Sequence, residues 1–336
     1  MNIKNLKPRS KESVFLSSKE GKAIFAFGNI DYMRFIETDI EYSDRDLEFS
    51  LKGFKKIFPS LEFMNINKIT VDDHCDCATF HSPDKTIDCI VFGREFDFLD
   101  CFSDDFTVIS KDLIPVIQNI GLSVSDDCMR YFMQGIFFAE NGDIVATDGC
   151  RLTLKKTPLK FHNLIVRPAA FNSFNGKKDV YVKIAKIIRN SYGKDKVYTY
   201  IQLSDGDNKV ITCAIDGQFP NYTKVIPEDM TAYETEFIDG FEVFKKNEKA
   251  FKTEKPYYAV FSEGSIKNSS GIEICKTQSK MNLRFKAQYL KDVFLTFGDK
   301  INVKFLHETS SRGTHKPVIF GDSDYFSLVV PLSNQF

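Results

Sequence analysis

The sequence predicts an α+β protein of three similar domains, each with helices backed by antiparallel sheets. Three observations carry this. A strand leading into a small polar corner recurs at Thr38-Asp39, Thr147-Asp148 and Ser269-Ser270, and a lysine-bearing helix and two or three strands come next. The closing strands repeat one pattern: Asp88-Cys89-Ile90-Val91, Thr212-Cys213-Ala214-Ile215 and Ser327-Leu328-Val329-Val330. One hairpin is strongly encoded: runs rich in aromatic and β-branched residues, Tyr131–Phe138 and Ile144–Thr147, flank the turn Glu140-Asn141-Gly142-Asp143. A repeat period above about one hundred residues marks a duplicated domain rather than a solenoid unit. The expected boundaries are 1–103, 104–225 and 226–336, in keeping with about 100–200 residues per domain.

In the first block, Met1–Arg9 reads as a loose polar end. Strand-like runs follow at Val14–Ser17, Lys22–Phe27 and Met33–Glu41. Ser50 can cap a short helix, Leu51–Phe58, which Pro59 stops. Strands return at Lys68–Val71, Cys77–Phe80 and Thr86–Phe92. This block lacks the leading helix of the other two.

The second block opens with a helix, Asp112–Ile120, ended by Gly121; Pro115 is tolerated because it lies in the first turn. After the hairpin, Asp148-Gly149 bends the chain so that Arg151 and Leu152 enter another strand. Ile184, Ile187 and Ile188 predict a helix over Asp179–Asn190. A hairpin, Val197–Leu203 with Lys209–Ile215, turns at Asp205-Gly206-Asp207.

In the third block, Phe237, Phe241 and Phe244 fall at i, i+4 and i+7 and predict a helix over Glu236–Phe251. Strands at Tyr257–Phe261 and Gly271–Lys276 precede a helix, Lys286–Phe297, that ends at Gly298. Ile301–Leu306 and Phe326–Leu332 close the chain.

Composition narrows the function. A chain that is 43% hydrophobic, with 33 Phe and no Trp, builds phenylalanine-filled cores. Lys+Arg 45 against Asp+Glu 46 leaves a net charge of −1, which argues against a nucleic-acid binder unless charge is segregated. Such segregation is visible. Lys183, Lys186 and Arg189 flank the isoleucine face, and Lys245, Lys246, Lys249 and Lys252 flank the phenylalanine face. Lys52, Lys55 and Lys56 flank the short first helix. Basic flanks can meet phosphates without reading bases; a solvated face is the plainer reading of any one of them.

Eight scattered cysteines with no CxxC pair and no signal peptide fit free thiols in the cytoplasm. No apolar run approaches membrane-span length. His74-Cys75-Asp76-Cys77 is the nearest approach to a metal motif, but strand alternation puts His74 opposite Cys75 and Cys77. No phosphate-binding glycine loop is present, and Cys150 and the five histidines lie in no nucleophile turn. The expectation is a non-catalytic protein without cofactor.

A resemblance sharpens this. Arg130-Tyr131, Gly135, the hairpin and Ala146-Thr147-Asp148-Gly149-Cys150-Arg151-Leu152 resemble the middle domain of the bacterial DNA polymerase III β subunit family, the sliding clamps. Gly217–Tyr222 with Val225-Ile226-Pro227 resembles that family's link between second and third domains, and Tyr325–Leu332 its C-terminal strand. The resemblance implies three clamp domains with helices lining a central hole and sheets outside. It implies a homodimeric ring around duplex DNA, and partnership with a replicative polymerase and a clamp loader through a short peptide motif. The implied peptide pocket comprises Met133, Thr147, Gly149, Cys150, Arg151, Leu152, Pro220, Lys224, Val225, Leu328, Val330, Pro331 and Leu332. Cys150 stands where many relatives have histidine, and Lys224 where arginine is common. The ring joint falls near Ile87 and Cys89 on one side, and Ala250 and Phe251 on the other. Two alternatives stay open: a clamp-derived polymerase-binding module that does not encircle DNA, and a cysteine- or metal-dependent enzyme acting on nucleotides. On residues alone, Met133, Leu152 and Val330 read as ordinary core.

Overall fold

The computed structural model describes residues 13–28, 32–44, 46–50, 54, 66–72, 77–83, 86–90, 92–93, 101–191, 194–228, 233–239, 257–262, 264–276, 280–298, 300–306 and 316–332. The first block holds β1 (Ser13–Lys19), β2 (Lys22–Gly28), β3 (Tyr32–Glu41), β4 (Leu47–Ser50), β5 (Lys68–Asp72), β6 (Cys77–His81), β7 (Thr86–Ile90) and β8 (Phe92–Gly93). The middle block holds β9 (Thr107–Ile109), α1 (Leu113–Ile120), β10 (Ile136–Phe138), β11 (Asp143–Thr147), β12 (Arg151–Lys156) and β13 (Leu164–Val166). It continues with β14 (Val180–Ser191), β15 (Lys194–Ser204) and β16 (Lys209–Cys213). The last block holds β17 (Glu234–Asp239), β18 (Tyr258–Ser262), β19 (Ser265–Asn268), β20 (Glu273–Lys276), β21 (Leu283–Lys286), α2 (Ala287–Phe297), β22 (Lys300–Phe305), β23 (Val318–Gly321) and β24 (Tyr325–Val329).

The chain forms two compact units, 1–114 with 169–214, and 115–168 with 215–336. The middle block thus contributes to both. In the first unit a sheet runs β8-β4-β1-β2-β3-β16-β15-β14-β9, and β5, β6 and β7 branch from β3. Phenylalanine fills its core as composition predicts. Phe54 meets Phe25, Phe27, Phe49 and Phe80 in tilted or edge contacts with centroids 5.6–6.2 Å apart, the geometry that aromatic quadrupoles favour.

The second unit has a sheet ordered β13-β10-β11-β12-β24-β23-β22-β17 and a smaller one ordered β20-β19-β18-β21. Its key joint is β12 on β24, antiparallel, with Arg151 opposite Val329 and Thr153 opposite Ser327. Middle and last blocks therefore share one sheet. Helix α2 buries Tyr289, Leu290, Val293 and Phe294 in a cluster with Phe261, Phe285, Phe305 and Phe320. Gly298, at φ 81°, ends it, a conformation that costs glycine nothing.

The structure corrects three expectations. Residues 180–191 are strand β14, not a helix. Val182, Ile184, Ile187 and Ile188 are β-branched and lie in a register that pairs along the whole of β15; the helical spacing of the isoleucines was accidental, and tertiary pairing won. Lys183 and Lys186 consequently point to opposite faces. Glu234–Asp239 is strand β17, paired with β22, so no helix begins at Glu236. Cys128–Met133 forms 3₁₀ turns, so the hairpin's first strand begins only at Ile136.

Several expectations lie outside the described residues: Lys52, Lys55, Lys56, Lys245, Lys246, Lys249, Lys252, Ala250, Phe251, and His74-Cys75-Asp76. Ile87, Cys89 and Arg189 are placed by backbone only. No helix among the described residues is long and apolar enough to cross a membrane.

Candidate functional site

The corner between β11 and β12 closes on itself. Thr147 Oγ1 donates to the Arg151 carbonyl at 2.6 Å and accepts from Gly149 N at 3.1 Å. Asp148 Oδ1 accepts from Cys150 N and Arg151 N at 2.9 and 3.0 Å. An aspartate bonding its own following amides is the expected role of this residue in a turn. Gly149 sits at φ +92°, and a Cβ there would lie 2.8 Å from Arg130 Nη1.

Arg151 then leaves the corner and is buried. Nε donates to Asp148 Oδ2 at 3.1 Å, Nη1 to Asp292 Oδ2 at 2.5 Å, and Nη2 to the Leu122 carbonyl at 2.5 Å. The guanidinium face lies 4.5 Å from the Tyr289 ring centroid. Burial, and then the Asp148 charge, hold the Tyr289 phenol well above its ordinary range.

The segment after β16 is pinned against the same sheet. Phe219 stacks on Phe137 at 4.7 Å and 8°. The Tyr222 hydroxyl donates to Asp143 Oδ2 at 2.8 Å, and burial with this bond pushes its pKa up to about 12. Gly135 lets the strands close: a Cβ there would meet Ile165 at 2.5 Å and Ile215 at 2.9 Å.

Between corner, segment and last strand lies a cavity of about 220 Å³. Buried Met133, Thr147, Leu152 and Leu328 form its floor. Gly149, Cys150, Val225 and Val330 are exposed at its rim, and Arg151 and Pro220 complete the part that the sequence picked out. Lys224, Pro331 and Leu332 do not line it. Leu332 instead bridges back to Arg284, whose carbonyl accepts from Leu332 N at 2.7 Å. Sequence reasoning missed Arg130, Asn221, Tyr222 and Pro317. The first three stand inside the motifs already quoted, so adjacency could have found them; Pro317 has no sequence signal. Arg130 is held by Asp127 at 2.9 Å, and the guanidinium keeps that carboxyl below the usual range. Among the described residues no cluster of His, Cys, Asp and Glu could hold a metal ion.

The fold that carries this cavity has counterparts elsewhere. No protein-family profile matches the chain. A β sliding clamp from Treponema pallidum is 28% identical over 159 residues, 44% of this chain and 41% of that relative. The matched stretch thus spans less than half of the relative's length. DNA polymerase III subunit β from Borrelia burgdorferi, solved with a natural product, superposes with TM-score 0.72 at 15% identity, over 96% of this chain and 92% of that one. The sliding clamp of Bacillus subtilis gives 0.71 at 15%, over 96% and 91%. The Bartonella birtlesii clamp, bound to griselimycin, gives 0.69 at 16%, over 95% and 91%. The chain has the fold of the DNA polymerase III β-subunit sliding clamps and resembles one of them in sequence over part of its length.

Proposed function

We propose that this chain is a DNA sliding clamp, a non-catalytic processivity factor that encircles duplex DNA and tethers a replicative polymerase in the cytoplasm. The observation that carries the reading is the apolar cavity at the Thr147–Leu152 corner, in a chain with the clamp fold. A small concave site with an apolar floor and a few polar groups suits a few anchor side chains of an extended peptide. The polymerase and a clamp loader would take turns there. Three domains, 1–103, 104–225 and 226–336, would form each chain, and two chains would close the ring. Ile87 and Cys89 on β7, which pairs only with β6 among the described strands, would meet Ala250 and Phe251 of the other copy. Lys52, Lys55, Lys56, Lys245, Lys246, Lys249 and Lys252 are the candidate phosphate contacts; Lys183 and Lys186 lie on opposite faces of β14 and do not form one flank.

Two observations favour a second reading. A net charge of −1 and the loss of one basic helix flank fit a module that grips the polymerase without encircling DNA. Retention on nicked circular DNA separates the two. A clamp loaded on the circle stays bound through gel filtration and runs off after linearisation. Equal loss from circle and line would leave only the binding module. Griselimycin, the ligand of the Bartonella birtlesii clamp, probes the cavity in either case by calorimetry.

A further inference from the structure

Arg151 is an arginine in the wall of the cavity whose charge is already matched by two carboxylates. All three of its nitrogens donate within the protein: to the corner's own Asp148, to Asp292 on α2, and to the Leu122 carbonyl. Its side chain is 9% exposed, and those of Asp148 and Asp292 are 15% and 8% exposed. The face of the guanidinium is covered by Tyr289, one turn before Asp292 on the same helix. Asp292 is itself oriented, because Gln288 Nε2 donates to its other oxygen at 2.8 Å.

We infer that Asp292 is a positioning residue for the cavity. From a helix of the last block, it holds Arg151 against the Thr147–Arg151 corner and keeps that cation from the ligand. The site then selects a peptide with uncharged, apolar anchor side chains, although arginine lines it. The physics is one of competition. A buried guanidinium with no carboxylate partner would attract an incoming carboxylate strongly, because little water screens it. Once Asp148 and Asp292 have neutralised it, an incoming acid would meet two carboxylates rather than a free cation, and burying it there is costly. The same bonds fix the backbone of the corner, so the floor is shaped before any ligand arrives and little ordering cost remains. Arg130, with a side chain 48% exposed and paired with Asp127, lines the cavity beside Gly149 and can meet a peptide's polar end.

The inference rests on the cavity being a peptide site, and the test keeps the two apart. Two labelled pentapeptides, identical except for leucine or glutamate at one anchor, are titrated by fluorescence anisotropy into the full chain. The wild type is expected to prefer leucine by at least about tenfold, a difference of about 1.4 kcal/mol. Asp292→Asn is expected to weaken the leucine peptide by about tenfold and strengthen the glutamate peptide, narrowing the preference; Asp292→Glu restores it. A purely structural role would weaken both peptides together. If Asp292→Asn does not fold, Arg151→Met with Asp292→Leu removes both charges, and it is expected to bind the leucine peptide about tenfold more weakly because Asp148 has lost its anchor. An unchanged leucine-to-glutamate ratio in Asp292→Asn, or wild-type affinity in the double variant, overturns the inference alone. A wild type that binds neither peptide overturns the peptide-site reading, and this inference with it.

Discussion

The hydroxyl of Thr153 lies 2.7 Å from that of Ser327 and 2.7 Å from that of Ser123, in a buried chain of three across the β12–β24 joint. Each of these residues is no more than 3% exposed. Replacing Thr153 with valine leaves both serines short of a partner. Thr153→Val is expected to cost about 1–3 kcal/mol, read as a lower urea midpoint. Adding Ser327→Ala is expected to cost less than the sum of the single changes, since the second removes an orphan the first created.

Gly149→Ala tests the corner. The position needs φ +92°, which costs a side-chain-bearing residue about 1–2 kcal/mol. The new methyl also presses on the Arg130 guanidinium. We expect a lower melting temperature and griselimycin binding reduced about tenfold, both read on one protein by thermal shift and calorimetry.

The rim is tested where stability is not at stake. Val225 and Val330 are 54% and 43% exposed, so aspartate at either should change stability by no more than about 0.5 kcal/mol. Ligand affinity should fall by at least about 2 kcal/mol if they cover anchor side chains. Cys150, exposed on the same rim, gives a chemical version: alkylation with N-ethylmaleimide should block griselimycin in the wild type and leave the Cys150→Ser protein unaffected.

Tyr222 sets an alkaline limit. Its folded pKa stands at about 12 against an ordinary 10.0. Because the folded value is raised, the stabilisation is complete below about pH 10 and is lost as pH rises through about 12. Tyr222→Phe should be less stable at neutral pH, because the bond to Asp143 is gone, yet flatter across that window. Parallel denaturation curves for the two proteins, with no difference in slope between pH 10 and 12, would count against this role.

The sequence made the local, strongly patterned features legible. The Asn141-Gly142 turn, the Asp148-Gly149 corner and the α2 stop at Gly298 each have one residue type that the backbone conformation demands. Part of the cavity floor was legible through motif, because Thr147 and Leu152 flank the Asp148-Gly149 corner and Met133 lies in the stretch between Arg130-Tyr131 and Gly135. What failed was periodicity near a sheet. Ile184, Ile187 and Ile188 satisfy a helical face and a β-branched strand equally well, and only the partner strand β15 decides between them. Phe237 failed for the same reason, with β22 as the deciding partner. The role of Asp292 was invisible because its partner, Arg151, lies 141 positions away in the sequence. Pro317 reached the cavity by the same long route.

That shared sheet has a consequence for how the protein is made. β12 must wait, with one edge unpaired, until β24 has left the ribosome. The cavity cannot exist in a shorter nascent chain, since Leu328 and Val330 are part of it. A ligand would thus find this cavity only on chains in which β24 is already in place beside β12.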